Sequence, residues 1–276
     1  MKKRVVSSFI ALVLSIIISL AVSGVHLAIS LPDDFELPLG DDFIEVPETL
    51  QEEDLEVSIM SFNVKLIAKE DNKQDYWTNR KEPMIELLNS YGPDIIGFQE
   101  VTHPQYRYLY EMLGEEYSYF GISRSGMGLS RGDMVLKSTD PEVTLVNRIL
   151  ISIIDEASVI FFRKSRFELL DASSFWLSQT PDKPSKGWDA SHKRICSYVQ
   201  LKDHYTGERF GVFNTHMDHI GWEARENSVN LMIEKAHEQG DDIFITMGDF
   251  NFPEGHELYD SIMAEGTLSD SKYLAP

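Results

Sequence analysis

The chain has 276 residues, with 25 Lys and Arg against 45 Asp and Glu, and a formal net charge of −20 at pH 7. This length allows one large domain with its own core and a short extension. Because so acidic a chain repels polyanions, the composition argues against non-specific binding to duplex DNA. It does not exclude a small phosphorylated substrate that is reached through cations. Cys196 is the only cysteine, so an intrachain disulfide is excluded, and its apolar surroundings predict a buried structural thiol.

The N-terminus has the pattern of an export signal. Lys2, Lys3 and Arg4 precede an uncharged apolar run, and small residues follow it. The apolar character continues to residue 31, which is long enough for a membrane span of roughly 20 residues. We therefore assign residues 1–31 to a signal peptide or a membrane anchor, the anchoring segment being 9–31. Both alternatives predict an extracytoplasmic protein, either secreted or anchored in the cytoplasmic membrane.

Residues 32–56 have the composition of a linker. They contain many Asp and Glu residues, no Lys or Arg, and prolines at three positions, Pro32, Pro38 and Pro47. Such a segment buries little apolar surface, and we predict a flexible acidic linker. The folded domain is expected to span 57–276.

Within that domain, short apolar runs typical of buried strands alternate with amphipathic stretches typical of helices. In chain order, we predict strands at 57–64, 94–98, 158–163, 167–170, 195–201, 209–215 and 243–247. Helices are predicted at 77–90, 105–113 and 222–239, and a long surface loop within 121–155. Many strands with few helices between them predict a layered α/β fold.

Polar residues follow several of the predicted strands where packing gives no reason for them. They are Asn63, Glu100, His216, and Asp249 with Asn251. One such residue is ordinary, because Asn or Asp after a strand often caps a turn. Five at successive strand ends indicate a functional site, since catalytic groups collect on loops that a rigid sheet positions.

The segments that carry these residues are Ser-Phe-Asn at 61–63, Gly-Phe-Gln-Glu-Val at 97–101, Asn-Thr-His at 214–216 and Gly-Asp-Phe-Asn at 248–251. In this order they resemble the motifs of the endonuclease/exonuclease/phosphatase superfamily, over about residues 55–276. The aromatic run at 175–178, with 180–181 and 187–189, resembles a bacterial branch related to deadenylases. The resemblance implies a four-layer α/β sandwich with two central mixed β-sheets flanked by helices. It also implies a hydrolase of phosphate esters that depends on Mg²⁺ or Mn²⁺.

The resemblance further implies a role for each residue. Glu100 would be the principal carboxylate ligand of the metal, with Asn63 beside it, since hard oxygen ligands suit Mg²⁺. Asp249 would orient and deprotonate the attacking water, and Asn251 would hold that water or a phosphate oxygen. His216 would donate to a phosphoryl oxygen and counter the charge of the transition state.

Two more residues match the family less closely. Glu156 matches a carboxylate that orients His216 and favours its protonated form. Arg194 matches an arginine that contacts the phosphate through its planar guanidinium. The alternative for both is a solvated charge at a strand end. Together the residues supply the activated water, the cation and the donors that phosphoester hydrolysis needs, without a Ser or Cys nucleophile.

The sequence departs from the family at its end. The family closes with a strand and a Ser-Asp-His type of motif, whereas Leu-Ser-Asp-Ser at 268–271 resembles the segment before those strands. No histidine follows His256. We expect a C-terminally truncated chain whose catalytic domain, 57–276, lacks the last strands of the fold.

Three alternatives stay open at this stage. His216 and His219 have the spacing of a zinc pair on a helix. The chain could also be a catalytically defective binding protein of the same fold, displayed at the cell surface. The substrate could be a phosphorylated small molecule, a lipid head group or nucleic acid, and we predict no protein partner. The aromatic residues Trp176, Trp188 and Trp222 are expected to pack in the core.

Overall fold

The computed structural model describes residues 56–68, 72–126, 128–130, 133–135 and 155–274, with backbone alone at 128–130 and 133–135. The predicted leader, 1–31, and the linker up to residue 55 lie outside the described residues. In the described part of the chain, no helix is long and apolar enough to cross a membrane. The described residues all belong to one compact unit, Ile44–Pro276.

The described part of the chain contains ten strands and four α-helices. The strands are β1 Ile59–Asn63, β2 Ile95–Val101, β3 Tyr117–Ser123, β4 Gly128–Ser130, β5 Asp133–Val135, β6 Ala157–Arg163, β7 Phe167–Trp176, β8 Ile195–Asp203, β9 Arg209–His216 and β10 Phe244–Asp249. The α-helices are α1 Trp77–Tyr91, α2 His103–Leu113, α3 Trp222–Gln239 and α4 Glu257–Glu265. Single 3₁₀ turns lie at Lys73–Asp75 and Ser271–Tyr273.

The strands form two mixed sheets. One has the order β1-β2-β6-β3-β4-β5, and the other has the order β10-β9-β8-β7. The pairs β1/β2 and β9/β10 are parallel, and the other neighbours are antiparallel.

Three apolar clusters hold the layers together. Helices α1 and α2 pack on the outer face of the first sheet through residues such as Leu88 and Leu109. Helices α3 and α4 cover the second sheet through Met232 and Leu258. A third cluster joins the inner faces of the two sheets, as between Ile160 and its partners on β8, β9 and β10. The predicted four-layer α/β sandwich is confirmed.

Most predicted elements are present, with four differences. Strand β3, Tyr117–Ser123, was not predicted. Strand β7 continues to Trp176, well beyond the predicted end at 170. The prediction ended too early because polar residues in the middle of the strand interrupt its apolar run. The predicted loop at 121–155 contains the end of β3 and the strands β4 and β5, while 136–154 lie outside the described residues. Helix α4 was not predicted. It begins at a histidine cap, since Nδ1 of His256 accepts the Leu258 N–H.

Candidate active site

The two parallel strand pairs bring the polar strand ends to one edge of the sandwich. Asn63 at the end of β1 lies opposite Gln99 on β2, and Asp249 at the end of β10 lies opposite His216 on β9. Strand β1 lies against β10, and β2 lies against β9. Because parallel neighbours end at the same edge of a sheet, the four motifs predicted from sequence converge there.

A buried amide pair fixes the two sheets against each other. Nδ2 of Asn214, on β9, donates to the carbonyl oxygens of Phe98 and Val159 on the other sheet, both at 2.9 Å. Nε2 of Gln99 donates to Oδ1 of Asn214 at 2.7 Å. Both side chains are buried, so each of these polar groups would be costly without its partner. Gln99 and Asn214 thereby set the spacing of the motifs that carry Glu100 and His216.

Close backbone approach explains the glycines of the same motifs. A Cβ on Gly97 would lie 2.7 Å from Sδ of Met247 and 2.8 Å from Oδ1 of Asn214. Gly248 has a φ of 147°, and a Cβ there would overlap the carbonyl oxygen of Thr215. Only glycine fits either position without a shift of its neighbours.

The centre of the site is a pair of carboxylates that share one amide. Nδ2 of Asn63 donates to Oε1 of Glu100 at 2.9 Å and to Oδ2 of Asp249 at 3.0 Å. The other carboxylate oxygen of Glu100 accepts the N–H of Leu66 at 2.9 Å. Glu100 has a φ of 60° at an irregularity in β2, a left-handed conformation that is uncommon for this residue type. Such backbone geometry is concentrated at functional sites.

His216 lies beside this pair. Its Nε2 is 3.9 Å from Oδ2 of Asp249. Among the described residues, no hydrogen-bond partner reaches its buried Nδ1. Burial lowers the pKa of His216, and Arg194 lowers it further, whereas Glu156, Asp249 and Glu100 raise it. The net shift is downward, so the neutral imidazole is favoured.

Asn251 ties the Gly-Asp-Phe-Asn turn to the chain after β9. Its N–H donates to Oδ1 of Asp249 at 3.1 Å, and its Nδ2 donates to the carbonyl oxygen of Met217 at 2.8 Å. Its φ of 56° is left-handed, which asparagine tolerates better than most residues. The turn therefore holds Asp249 in a fixed orientation towards Asn63.

Glu156 and Arg194 are buried, so the alternative that they are solvated charges is wrong. Oε1 of Glu156 accepts from Nη1 of Arg124 at 2.5 Å and from Nη1 of Arg194 at 3.2 Å. The expectation that Glu156 favours the protonated form of His216 agrees in direction with the structure, and its role in orienting His216 stays a prediction. Its charge does raise the pKa of His216, but burial and Arg194 outweigh it, and its hydrogen bonds go to the two arginines.

Known proteins resemble this chain in sequence and in fold. The sequence model described as the endonuclease/exonuclease/phosphatase family matches residues 60–269. The chain belongs to this family. Among curated relatives, a mimivirus protein, the uncharacterized protein L388 of Acanthamoeba polyphaga mimivirus, is 28% identical over 183 residues, 63% of this chain. The Ccr4 subunit of the CCR4-Not complex from Emericella nidulans, a 3'-5'-exoribonuclease, is 26% identical over 71% of this chain. The chain spans 59% of the first relative and 29% of the second.

Solved structures of this family superpose on the sandwich. A mannosyl-6-phosphatase of Bacteroides thetaiotaomicron matches with a TM-score of 0.66 and 34% identity, over 79% of this chain and 74% of that one. A family protein from Bacteroides vulgatus matches with a TM-score of 0.62 and 31% identity, over 75% and 70%. The human nocturnin catalytic domain, at 20% identity and a TM-score of 0.54 over 75% and 68%, shares the fold. The family comprises hydrolases that act on phosphate esters, phosphatases and nucleases among them.

The donor set of this family member suits a hard divalent cation. Mg²⁺ is usually held by one or two carboxylates together with water and substrate oxygens. Glu100 supplies the carboxylate, and Asn63 supplies an amide that lies between Glu100 and Asp249. Nδ2 of Asn63 faces Glu100 while Oδ1 accepts the Lys65 N–H at 2.8 Å, so joint coordination by Oδ1 and Glu100 requires the amide to rotate. The assignment of Asn63 and Glu100 as ligands stays a prediction.

The zinc alternative finds less support. Nδ1 of His219 lies 3.2 Å from Nη2 of Arg194, whereas His216 faces Asp249. Within the described ranges, no group of three His, Cys, Asp or Glu side chains is arranged to hold a metal ion. A structural zinc site takes four protein ligands, and a catalytic one usually takes three.

Sequence reasoning missed the role of Asp218. This buried carboxylate accepts from the backbone N–H groups of Ser191, His192, Ile220 and Gly221, from the Ser191 hydroxyl, and from Nε of Arg194. Burial alone would raise the pKa of Asp218, but these donors hold it well below its usual range. Asp218 thereby fixes Arg194 and the loop before β8. In the sequence, Asp218 lies between His216 and His219, and this segment suggested only a pair of zinc-binding histidines.

Of the three tryptophans expected in the core, only Trp176 is buried. Trp176 is buried, and its Nε1 donates to the carbonyl oxygen of Arg124 at 2.7 Å. Trp188 is half-buried. Trp222, expected in the core, is 40% exposed at the start of α3 and lies against His256 with ring centroids 4.7 Å apart.

Proposed function

We propose that this protein hydrolyses phosphate esters with Mg²⁺ or Mn²⁺ as its cofactor. The observation that carries the proposal is the convergence of Glu100 and Asp249 on Asn63, next to His216, at one edge of the sandwich. Acidic and amide ligands, a carboxylate base and an imidazole donor are groups that support attack by water on phosphorus. Family membership supports the reaction class.

Glu100 and Asn63 would hold the cation. When bound, the cation supplies charge neutralisation at the phosphoryl oxygens and lowers the pKa of coordinated water. Asp249 takes the proton of the attacking water as the new P–O bond forms and the ester P–O bond breaks. Each oxygen of Asp249 accepts one hydrogen bond, Oδ1 from the Asn251 N–H and Oδ2 from Nδ2 of Asn63, so the carboxylate is oriented for this role. The leaving alkoxide takes up a proton from solvent, Asp249 returns its proton to solvent, and the products are an alcohol and a phosphate.

His216 and Arg194 stabilise the charge on the phosphoryl group. A neutral imidazole has one N–H, and we assign it to Nε2, which faces Asp249, whereas Nδ1 is buried. Donation from Nε2 to a phosphoryl oxygen strengthens as that oxygen gains charge in the transition state. Arg194 is oriented in advance by Glu156 and Asp218, so little entropy is lost when its guanidinium contacts phosphate.

We propose a phosphorylated small molecule as the substrate. The net charge of −20 disfavours a long polyanion, and the Bacteroides protein at 34% identity is described as a mannosyl-6-phosphatase. The Ccr4 relative keeps a nucleic-acid substrate as the other candidate. We also propose an extracytoplasmic location, secreted or membrane-anchored, on the basis of the basic and apolar N-terminal pattern at 2–22.

Turnover of model esters tests this proposal. The purified chain should hydrolyse para-nitrophenyl phosphate or bis(para-nitrophenyl) phosphate with Mg²⁺, lose turnover in EDTA and regain it when Mg²⁺ is restored. Asp249→Asn should lower kcat by about 10²–10⁴-fold, the usual effect of losing a general base. Asp182→Asn, at an exposed turn, is the matched control and should not change kcat. EDTA-resistant turnover would contradict metal dependence, and no turnover of either ester would favour the catalytically defective binding protein.

A further inference from the structure

A recess opens directly beside the proposed catalytic residues. Its lining includes Glu100 and His216 together with three cationic side chains, Arg124, Lys193 and Arg194. The inner wall is formed by the first residues of β6 and β8, which are buried. A ligand in this recess would contact the catalytic residues and the cations at the same time.

The two arginines of the recess are held in place. Nη1 of Arg124 pairs with Oε1 of Glu156 at 2.5 Å, and its backbone N–H donates to the Glu156 carbonyl oxygen at 3.0 Å. The Trp176 indole N–H holds the Arg124 carbonyl oxygen. Arg194 is bound by Glu156 and by Asp218. Their guanidinium groups are therefore positioned before a ligand binds.

The lining of the recess contains more cations than carboxylates, although the whole sequence carries −20. Three cations line it against Glu100 and Glu156, while Asp155 and Asp218, which are not part of the lining, pair with Arg124 and Arg194. Glu156 is shared between Arg124 and Arg194, and Glu100 faces Asn63 at the proposed metal position. Lys193 is exposed at the rim. Such a recess favours the ligand with the larger negative charge.

We infer that the recess selects phosphomonoesters over phosphodiesters, with Arg124 and Lys193 as the specificity-determining residues. This inference rests on the proposed hydrolysis and names its substrate class. A terminal phosphate carries about −1.5 to −2 charges at neutral pH and three oxygens able to accept from cations, whereas a diester carries one charge and two such oxygens. Water attacks phosphorus, the single ester P–O bond breaks, and the products are an alcohol and inorganic phosphate.

The test compares two esters of the same leaving group on the full chain with Mg²⁺. The wild type should show a higher kcat/KM for para-nitrophenyl phosphate than for bis(para-nitrophenyl) phosphate. Lys193→Gln and Arg124→Gln should each lower kcat/KM for the monoester about tenfold, the value of one charged hydrogen bond, and change the diester less. Lys202→Gln and Arg209→Gln, which face each other at the far ends of β8 and β9, are the matched controls and should not change the ratio.

Three outcomes would overturn the inference. They are a wild-type preference for the diester, an equal loss on both esters in Lys193→Gln, or no loss in that variant. Because Arg124 neutralises buried carboxylates, the folding of its variant is also measured by thermal unfolding. Lys193 is exposed, so Lys193→Gln is the variant that tests the inference without a change in folding. If the wild type cleaves neither ester, the proposed hydrolysis fails separately. Calorimetric binding of inorganic phosphate then tests the recess, and binding that is absent or unaffected by Lys193→Gln overturns the inference.

Discussion

Asp218→Asn removes a buried charge that organises the loop before β8. Oδ1 of Asp218 accepts the N–H groups of Ser191, Ile220 and Gly221, and Oδ2 accepts the His192 N–H and Nε of Arg194. In the variant, one of these oxygens becomes an NH₂ group that faces donors. At least two buried or part-buried donors then lack an acceptor, and the ion pair with Arg194 is lost.

The cost of this substitution follows from those contacts. An unsatisfied buried donor costs about 1–3 kcal/mol, and breaking a buried ion pair from one side costs about 3–5 kcal/mol. Because these terms overlap at Asp218, we expect the free energy of unfolding to fall by about 3 kcal/mol at pH 7. Urea unfolding followed by circular dichroism measures it, with Asp182→Asn as the exposed control.

The pH dependence gives the same prediction a second test. The pKa of Asp218 is held far below that of an unfolded aspartate, so its stabilisation is complete above pH 3.9 and is lost as the pH falls towards the folded value. At pH 3.5 the difference between wild type and Asp218→Asn should be smaller than at pH 7 by about 0.7 kcal/mol. A difference below about 1 kcal/mol at pH 7, or one that grows on acidification, would refute the reasoning.

Two further substitutions test the site and its backbone. His216→Ala should cost about 3 kcal/mol of transition-state stabilisation, seen as a loss of kcat/KM on a model ester with kcat reduced, and a loss confined to KM would contradict the donor role. Gly248→Ala should lower the free energy of unfolding by at least about 2 kcal/mol, because its φ of 147° excludes a Cβ that would overlap the Thr215 carbonyl. Gly207→Ala, in open space at a φ of 76°, is the control and should cost about 1 kcal/mol. Equal losses in the two glycine variants would argue against the steric account.

The sequence predicts those elements whose signal is local. Helix α3 begins and ends where predicted, because its apolar spacing and the flanking glycines are both visible in the chain. The sequence also predicts that the polar residues after several strands form one functional site, but the parallel pairing that brings these strand ends to one edge is seen only in the structure. The limits of β7 were not predicted, because its half-buried middle carries polar residues that only the sheet context explains.

The missed parts of the site depend on contacts between distant residues. Arg124 meets Glu156 across 32 positions, and Asp218 meets Arg194 across 24. The residues next to each partner in the sequence give no indication of these contacts. Trp222 illustrates the converse, because a large apolar side chain at the start of a helix gives no sign of which way it points. Buried Cys196 was predicted correctly, since an uninterrupted apolar strand leaves it nowhere else to lie.

Direct binding of Mn²⁺ tests the central claim, that Glu100 and its neighbours hold a divalent cation for phosphoester hydrolysis. Titration of the metal-free full chain with Mn²⁺, read by calorimetry, should give one saturable site that Mg²⁺ competes for. Glu100→Gln should weaken that site by about tenfold or more, because it removes the principal charged ligand and leaves the Leu66 N–H with an acceptor. Glu115→Gln, an exposed residue after α2, should bind as the wild type does. A wild type that binds no Mn²⁺, or a Glu100→Gln variant that binds it equally well, would contradict the account.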